Sequence, residues 1–395
     1  MTYGVNMIYL DHAATTPTDP DVVQAMLPYF TSMFGNPSSI YRIGQEARVG
    51  LDRARQTLAS LLGCGMSEII FTSGATESNN LAIKGAAWAH RISHPGQAEP
   101  SHIITTATEH HAVLHAAQAL EEQGFAVTYV PCDDRGIVSP TDILNEIRPE
   151  TCLISVMLAN NEVGSIQRVA EIAAIARSHG ITMHTDAVQA AGTLPIGVKA
   201  LDVDLLSLSA HKFYGPKGVG LIYVRKGTPI RYQQDGGGQE SGRRGGTENV
   251  PLIVGMAEAL KRADSSRTAY NDHTGELRDL LWKLIEEGIS DVRLNGPEPG
   301  TERLSNNLNI SIRGVQGETV LLALDMEGVE ASAGSACTTG NSEPSHVLLA
   351  MGLSEADTRS SLRLTVGRGN TVEEISDAAD ILSIVVERVR ALSKV

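Results

Sequence analysis

Short apolar runs alternate with amphipathic stretches along most of the chain. Residues 46–62 put Ala47, Leu51, Ala54, Leu58 and Leu61 on one stripe of a 3.6-residue period, and Gly63 supplies a stop. Apolar runs at 69–72, 102–106, 126–130, 152–158, 181–185, 204–209 and 219–224 predict strands. Helical patterns lie between several of them, such as 169–179, which Gly180 closes. Alternation of this kind predicts a mainly parallel sheet covered by helices on both faces. Ligands of such sheets bind beyond the carboxyl ends of the strands, so candidate site residues belong just after a strand.

The pattern shifts near residue 255. A long helix is predicted over roughly 252–289, then a polar turn, an alternating strand over 308–312 and a helix from Gln316. Thr371 and Glu374 have capping-box spacing at the head of a last helix, whose buried stripe is Ile375, Ala378, Leu382, Val385 and Val389. The expected division is a large α/β domain over 15–255 and a smaller α+β domain formed by 1–14 and 256–395.

Composition narrows the function classes. At 395 residues with 42% apolar and 20% charged side chains, the chain suits a globular protein with a sizeable core. Thirty-two basic against 46 acidic residues give a net charge of −14, a poor match to the basic footprint of nucleic-acid binders or to anionic lipid. No run is long and apolar enough for a transmembrane helix, and the opening MTYGVNMIYLDHAATTP carries no signal-peptide pattern. A cytoplasmic location is expected. The four cysteines form no CxxC pair, which argues against a structural zinc site.

Several segments carry candidate chemistry. Lys212 follows an apolar strand and precedes the glycine-containing turn 215–218. It reads either as a solvated turn lysine or as a lysine that bonds a carbonyl carbon. Asp186 ends the strand before it and is either a helix cap or the counter-charge of a protonated ring nitrogen. Residues 72–80, with Ala75 and Thr76, run from strand to helix start, where backbone N–H groups suit a phosphate; an ordinary capped helix start is the alternative. The Ser209 and His211 side chains can add hydrogen bonds there. His110 can stack on a flat ring and move protons, or simply fill a core. His111 and His115 lie four apart, but no third metal ligand is evident. Cys337 sits among small residues, which suits a nucleophile, whereas Cys64, Cys132 and Cys152 read as structural. Residues 235–249 hold six glycines with Arg243 and Arg244, as in an anion-cradling loop or a surface linker.

Taken in order, these segments resemble the pyridoxal 5'-phosphate (PLP) enzymes of the aspartate-aminotransferase fold, and more closely the cysteine desulfurases of the NifS/IscS group. The likeness runs from YLDHAATTP (9–17) through FTSGATESNNLAIKG (71–85), TEHHAVL (108–114), ANNEVGSIQ (159–167), HTDAVQAAG (184–192), LSAHKFYGPKGVG (208–220), GGGQESGRRGGTEN (236–249) and GSACTTGNSEPSHVL (334–348) to SLRLTVGR (361–368). It implies PLP-dependent transferase fold type I. It implies that Lys212 bonds PLP, that Asp186 meets the pyridine nitrogen and Gln189 the ring hydroxyl, and that His110 stacks on the ring and serves proton transfer. Ala75, Thr76, Ser209 and His211 would hold the phosphate, joined by Thr247 from the neighbouring subunit of a homodimer. Asn161 and Arg363 would take the carboxylate of L-cysteine, and Cys337 would accept its sulfur as a persulfide. The implied partners are a sulfur acceptor or an iron–sulfur scaffold protein. No resident metal is implied; Cys337 would ligate a cluster only transiently, with a partner. His12 stands at a position that varies in the group and receives no role.

Overall fold

The computed structural model describes residues 7–96, 98–333 and 343–392. In chain order the strands are β1 (Ile8–Tyr9), β2 (Ile69–Thr72), β3 (His102–Thr106), β4 (Ala126–Val130), β5 (Thr151–Ser155), β6 (Thr182–Asp186), β7 (Leu205–Ser209), β8 (Gly220–Val224), β9 (Val292–Leu294), β10 (Asn307–Ile312), β11 (Val329–Glu330) and β12 (Ser361–Thr365). Seven of them form one sheet in the order β2-β8-β7-β6-β5-β3-β4. Only β8 runs against its neighbours. The expected mainly parallel, mixed sheet is therefore the framework.

Side chains alternate between its faces, as the period of two requires. Ile69, Phe71, Ile104, Ile154, Leu206, Leu208, Leu221 and Tyr223 enter one core; Ile70, Ile103, Leu153, Leu205, Ile222 and Val224 enter the other. Helix Arg42–Leu62 and helix Val169–Ser178 cover the first face. Helices Ala75–Ser93 and His111–Glu121 cover the second. Gly63 and Gly180 end their helices with φ of 72° and 68°, a conformation without steric cost only for glycine.

A second core lies on an antiparallel sheet ordered β12-β10-β9. Ile8 and Leu10 join it, and β1 pairs in parallel with β11. Helix Val250–Gly288 is continuous across the expected boundary at 255. Its first half buries Ile253, Met256 and Leu260 in the large core, and its second half buries Leu277, Leu281 and Ile285 in the small one. The Thr371–Glu374 capping box forms, with reciprocal bonds of 3.2 and 3.3 Å. The run over 152–158 leaves the sheet early. After Ser155 it still donates from Val156 and Leu158 to the end of β6, but it turns there toward the cavity described below.

One close approach ties the sheet to that cavity. A Cβ at Gly220, the first residue of β8, would lie 2.6 Å from the Leu208 carbonyl oxygen and 2.7 Å from the backbone of Gly74. Neither contact is the movable end of a side chain. Gly220→Ala is expected to lower stability by about 1–3 kcal/mol through forced backbone displacement. Urea unfolding checks this, and an unchanged midpoint would contradict the packing described.

Candidate active site

The carboxyl ends of the parallel strands open onto a cavity of about 580 Å³. Ala75, Thr76, His110, Asn161, Asp186, Gln189, Ser209, His211, Lys212 and Arg363 all line it. Thr247 does not. It lies in an adjoining hollow of about 220 Å³ that shares Ser73 and Gly218 with the main cavity. Cys337 lies outside the described residues.

Asp186 ends β6 and is only 6% exposed. Its Oδ2 accepts from Asn79 Nδ2 at 2.6 Å, and its Oδ1 accepts from the Val188 N–H at 3.0 Å. No helix starts here, so a capping role does not account for the residue. Buried carboxylates need such donors or a cation. Lys212 closes the short turn that follows β7. Its Nζ donates to the carbonyls of Ala13 and Ala14 at 2.5 and 2.8 Å, so it is not a solvated turn lysine.

His110 caps helix His111–Glu121 by accepting the Ala112 N–H on Nδ1. A neutral ring must then carry its proton on Nε2. Burial lowers its pKa, the nearby Asp186 charge opposes that, and Lys212 adds to it. His211 is pushed down to about 4 by burial and by Lys212 and Lys217, and its Nδ1 lies 3.1 Å from Thr15 Oγ1. Arg363 is 2% exposed in the middle of β12. It donates through Nη1 to the Asn161 carbonyl at 3.0 Å and pairs through Nη2 with Asp11 at 2.7 Å.

Helix Ala75–Ser93 starts at Gly74 without a side-chain cap, and Ala75 and Thr76 face the cavity. Its first N–H groups are thus available to an anion, with Lys212 and Lys217 on the same wall. The two arginines of the glycine-rich segment act otherwise than expected. Arg243 donates to backbone carbonyls of Ser67, Ile69 and Glu240, and Arg244 pairs with Glu77 at 2.9 Å. Glu77 in turn accepts the Ser73 N–H at 2.7 Å, so Arg244 braces the Ser73–Gly74 turn while Arg243 ties down the entry to β2, and neither lines the main cavity.

Sequence reasoning missed the segment from Asp11 to Thr15, which supplies the partners of Arg363, Gln189, Lys212 and His211. It also missed Asn79, a polar side chain on an otherwise apolar helix face. That burial mismatch was the available signal. Among the described residues, no group of three or more His, Cys, Asp or Glu side chains is placed to hold a metal ion. Burial pushes the thiols of Cys64 and Cys132 up to about 11 and that of Cys152 up to about 12, which keeps all three protonated.

Residues 8–377 match the aminotransferase class-V family. The chain belongs to that family. Among curated relatives, the cysteine desulfurase IscS of Dictyoglomus turgidum is 48% identical over 386 residues, covering 98% of this chain and 96% of the relative. The cysteine desulfurase IscS of Methanosarcina thermophila is also 48% identical, with 98% and 93% covered. A solved NifS-like protein superposes with a TM-score of 0.89 at 36% identity, covering 97% of this chain and all of that one. A structure described as SspA in complex with cysteine gives 0.78 at 36% identity, with 92% and 100% covered. Class-V aminotransferases of this kind depend on PLP. The cavity fits that group: an uncapped helix start for a phosphate, a buried carboxylate for a ring nitrogen, an imidazole near that carboxylate and a lysine amine within the same walls.

Beside His110 lies a fully buried carboxyl, Glu109. Its Oε1 accepts from Thr106 Oγ1 at 2.9 Å and from the Met157 N–H at 2.8 Å. Burial pushes it up to about 8 from an ordinary value of 4.5. The unfolded chain therefore releases this proton while the folded chain retains it. The contribution to stability is complete below pH 4.5 and is lost as the pH rises to about 8. Glu109→Gln removes the titration. Urea midpoints of the variant are expected to gain on the wild type between pH 5 and pH 8; parallel pH profiles would contradict the assignment.

Proposed function

We propose that the protein is a cysteine desulfurase. It converts L-cysteine to L-alanine and carries the released sulfur as a persulfide on Cys337. The observation that carries this reading is the convergence of Lys212, Asp186, His110 and Arg363 on one cavity from four separate segments of the chain. Full-length likeness to cysteine desulfurases supports it.

Bound PLP supplies an electron sink that stabilises negative charge at the substrate Cα. Asp186, held by Asn79 and the Val188 N–H, would meet the ring nitrogen and favour its protonated form. Gln189, which lines the cavity, would meet the ring hydroxyl. Ala75 and Thr76 at the helix start, with Ser209 and His211, hold the phosphate, and Thr247 reaches it from a second copy. Lys212 would hold the cofactor through its amine, and that amine is the candidate general base for the substrate Cα proton. His110 would stack on the ring, with its Nε2 proton available within the site. Arg363 and Asn161 fix the substrate carboxylate. The Cys337 thiolate attacks the substrate sulfur; the S–S bond forms as the carbon–sulfur bond breaks. The carbon fragment leaves with the electron pair and, after protonation, as alanine.

Further parts of the reading concern the assembly. The side chains of Phe30, Phe34 and Ile40 are 56%, 66% and 94% exposed on neighbouring stretches of chain. Apolar exposure of this kind supports burial against a second copy, in line with a homodimer that supplies Thr247. The chain is read as a large domain over 15–255 and a small one over 1–14 and 256–395, joined through helix Val250–Gly288. No described helix is long and apolar enough to cross a membrane; the proposed setting is the cytoplasm. The persulfide passes to an acceptor protein of iron–sulfur cluster assembly or of another thio-cofactor or tRNA pathway.

Incubation of the PLP-loaded protein with L-cysteine and a thiol reductant is expected to give alanine and sulfide in equal yield. Cys337→Ala should abolish sulfide release with the visible cofactor band retained, and Lys212→Ala should lose that band. Full sulfide release by Cys337→Ala would falsify the role of this thiol, and alanine without sulfide would refute the reaction.

A further inference from the structure

Arg363 is a buried cation whose donors are unevenly used. Nη1 is taken by the Asn161 carbonyl and Nη2 by the Asp11 carboxylate, whereas Nε is buried without a hydrogen-bond partner. A guanidinium this far from water requires a counter-charge. Asp11 supplies it at 2.7 Å, with its side chain 16% exposed. Glu162 also faces Arg363, but its Oε2 accepts from Ser345.

The Asp11–Arg363 pair is set by register rather than by chance contact. Asp11 forms a parallel bridge with Thr365, two residues along β12 from Arg363. Tyr9 Oη also donates to the Asp11 carbonyl at 3.0 Å. The carboxylate is therefore delivered to the guanidinium by the backbone that closes the cavity wall. A ligand carboxylate arriving at Arg363 meets Nη groups that have each given one N–H, Nη1 to the Asn161 carbonyl and Nη2 to a like charge, while Nε is buried out of its reach.

We propose that Asp11 is a positioning residue for the carboxylate of the amino-acid substrate, acting through Arg363. This rests on the reading of Arg363 given above. Asp11 has two separable effects. Its oxygen aims the guanidinium fork, and its negative charge weakens the hold on an incoming carboxylate. The second effect favours release of the alanine product, which carries the same carboxylate as the substrate. The site thus keeps a pre-oriented arginine without the full affinity of an unpaired one.

Asp11→Asn retains the aiming oxygen and removes the charge. It is expected to lower KM for L-cysteine, and the inhibition constant of L-alanine, by about threefold, with kcat little changed. Asp11→Ala removes both features and is expected to lower kcat as well, a loss that the asparagine variant rescues. Arg363→Ala is measured beside them. If it leaves KM and L-alanine inhibition unchanged, the reading of Arg363 fails and the proposal with it. If Arg363→Ala weakens both while Asp11→Asn leaves both unchanged, the proposal alone is overturned. Equal losses of kcat in the two Asp11 variants would also overturn it, since they report a merely structural role. The near-isosteric Asp11→Asn decides the matter even if Asp11→Ala does not fold.

Discussion

The structure depends on holding a buried carboxylate and a lysine amine beside one cavity without letting them collapse onto each other. Asp186 and Lys212 follow adjacent parallel strands. The register pairs Asp186 with Ser207, and Lys212 comes five residues later. Opposite charges that line one cavity attract each other, so each must be held by partners of its own if the space between them is to admit a ligand. Here each has other partners. Asn79 and the Val188 N–H take the carboxylate, and the Ala13 and Ala14 carbonyls take the amine. Both groups line the same cavity.

That arrangement explains why the two ends of the chain must meet. The segment from Asp11 to Thr15 is fixed to β12 by the Asp11–Thr365 bridge and by the Ala13 N–H to Thr365 Oγ1 bond of 2.9 Å. It brings backbone acceptors to Lys212 and Gln189 and a carboxylate to Arg363. The small sheet is therefore part of the site: it carries Arg363 and anchors the turn on which Lys212 rests. Gly220 also shapes the site, since its backbone approaches those of Leu208 and Gly74 too closely for a Cβ.

Much of this was legible in the sequence where local physics dominates. Apolar runs marked the seven strands of the large sheet to within a few residues, Gly63 and Gly180 marked helix ends, and Thr371 with Glu374 marked a helix start. The rule that ligands sit beyond parallel strand ends pointed to Asp186, Lys212 and Thr76, and all three line the one cavity. What stayed hidden acts through the backbone or over long separations. The acceptors of Lys212 are main-chain carbonyls, which carry no residue signature. Asp11 and Arg363 are 352 residues apart, and only the tertiary register joins them. Asn79 stands out only as a polar residue on an apolar helix stripe, which does not name its partner Asp186. Strands as short as β1, β9 and β11 exist because of their neighbours, not their own pattern.

The central claim is that Lys212, among the lysines of the cavity, is the one that bonds the cofactor carbonyl. Lys217 lines the same space and is the natural competitor. Borohydride reduction of the PLP-loaded protein, followed by digestion and mass spectrometry, separates the two. The phosphopyridoxyl mass is expected on Lys212 alone; the same mass on Lys217, with Lys212 unmodified, would contradict the account.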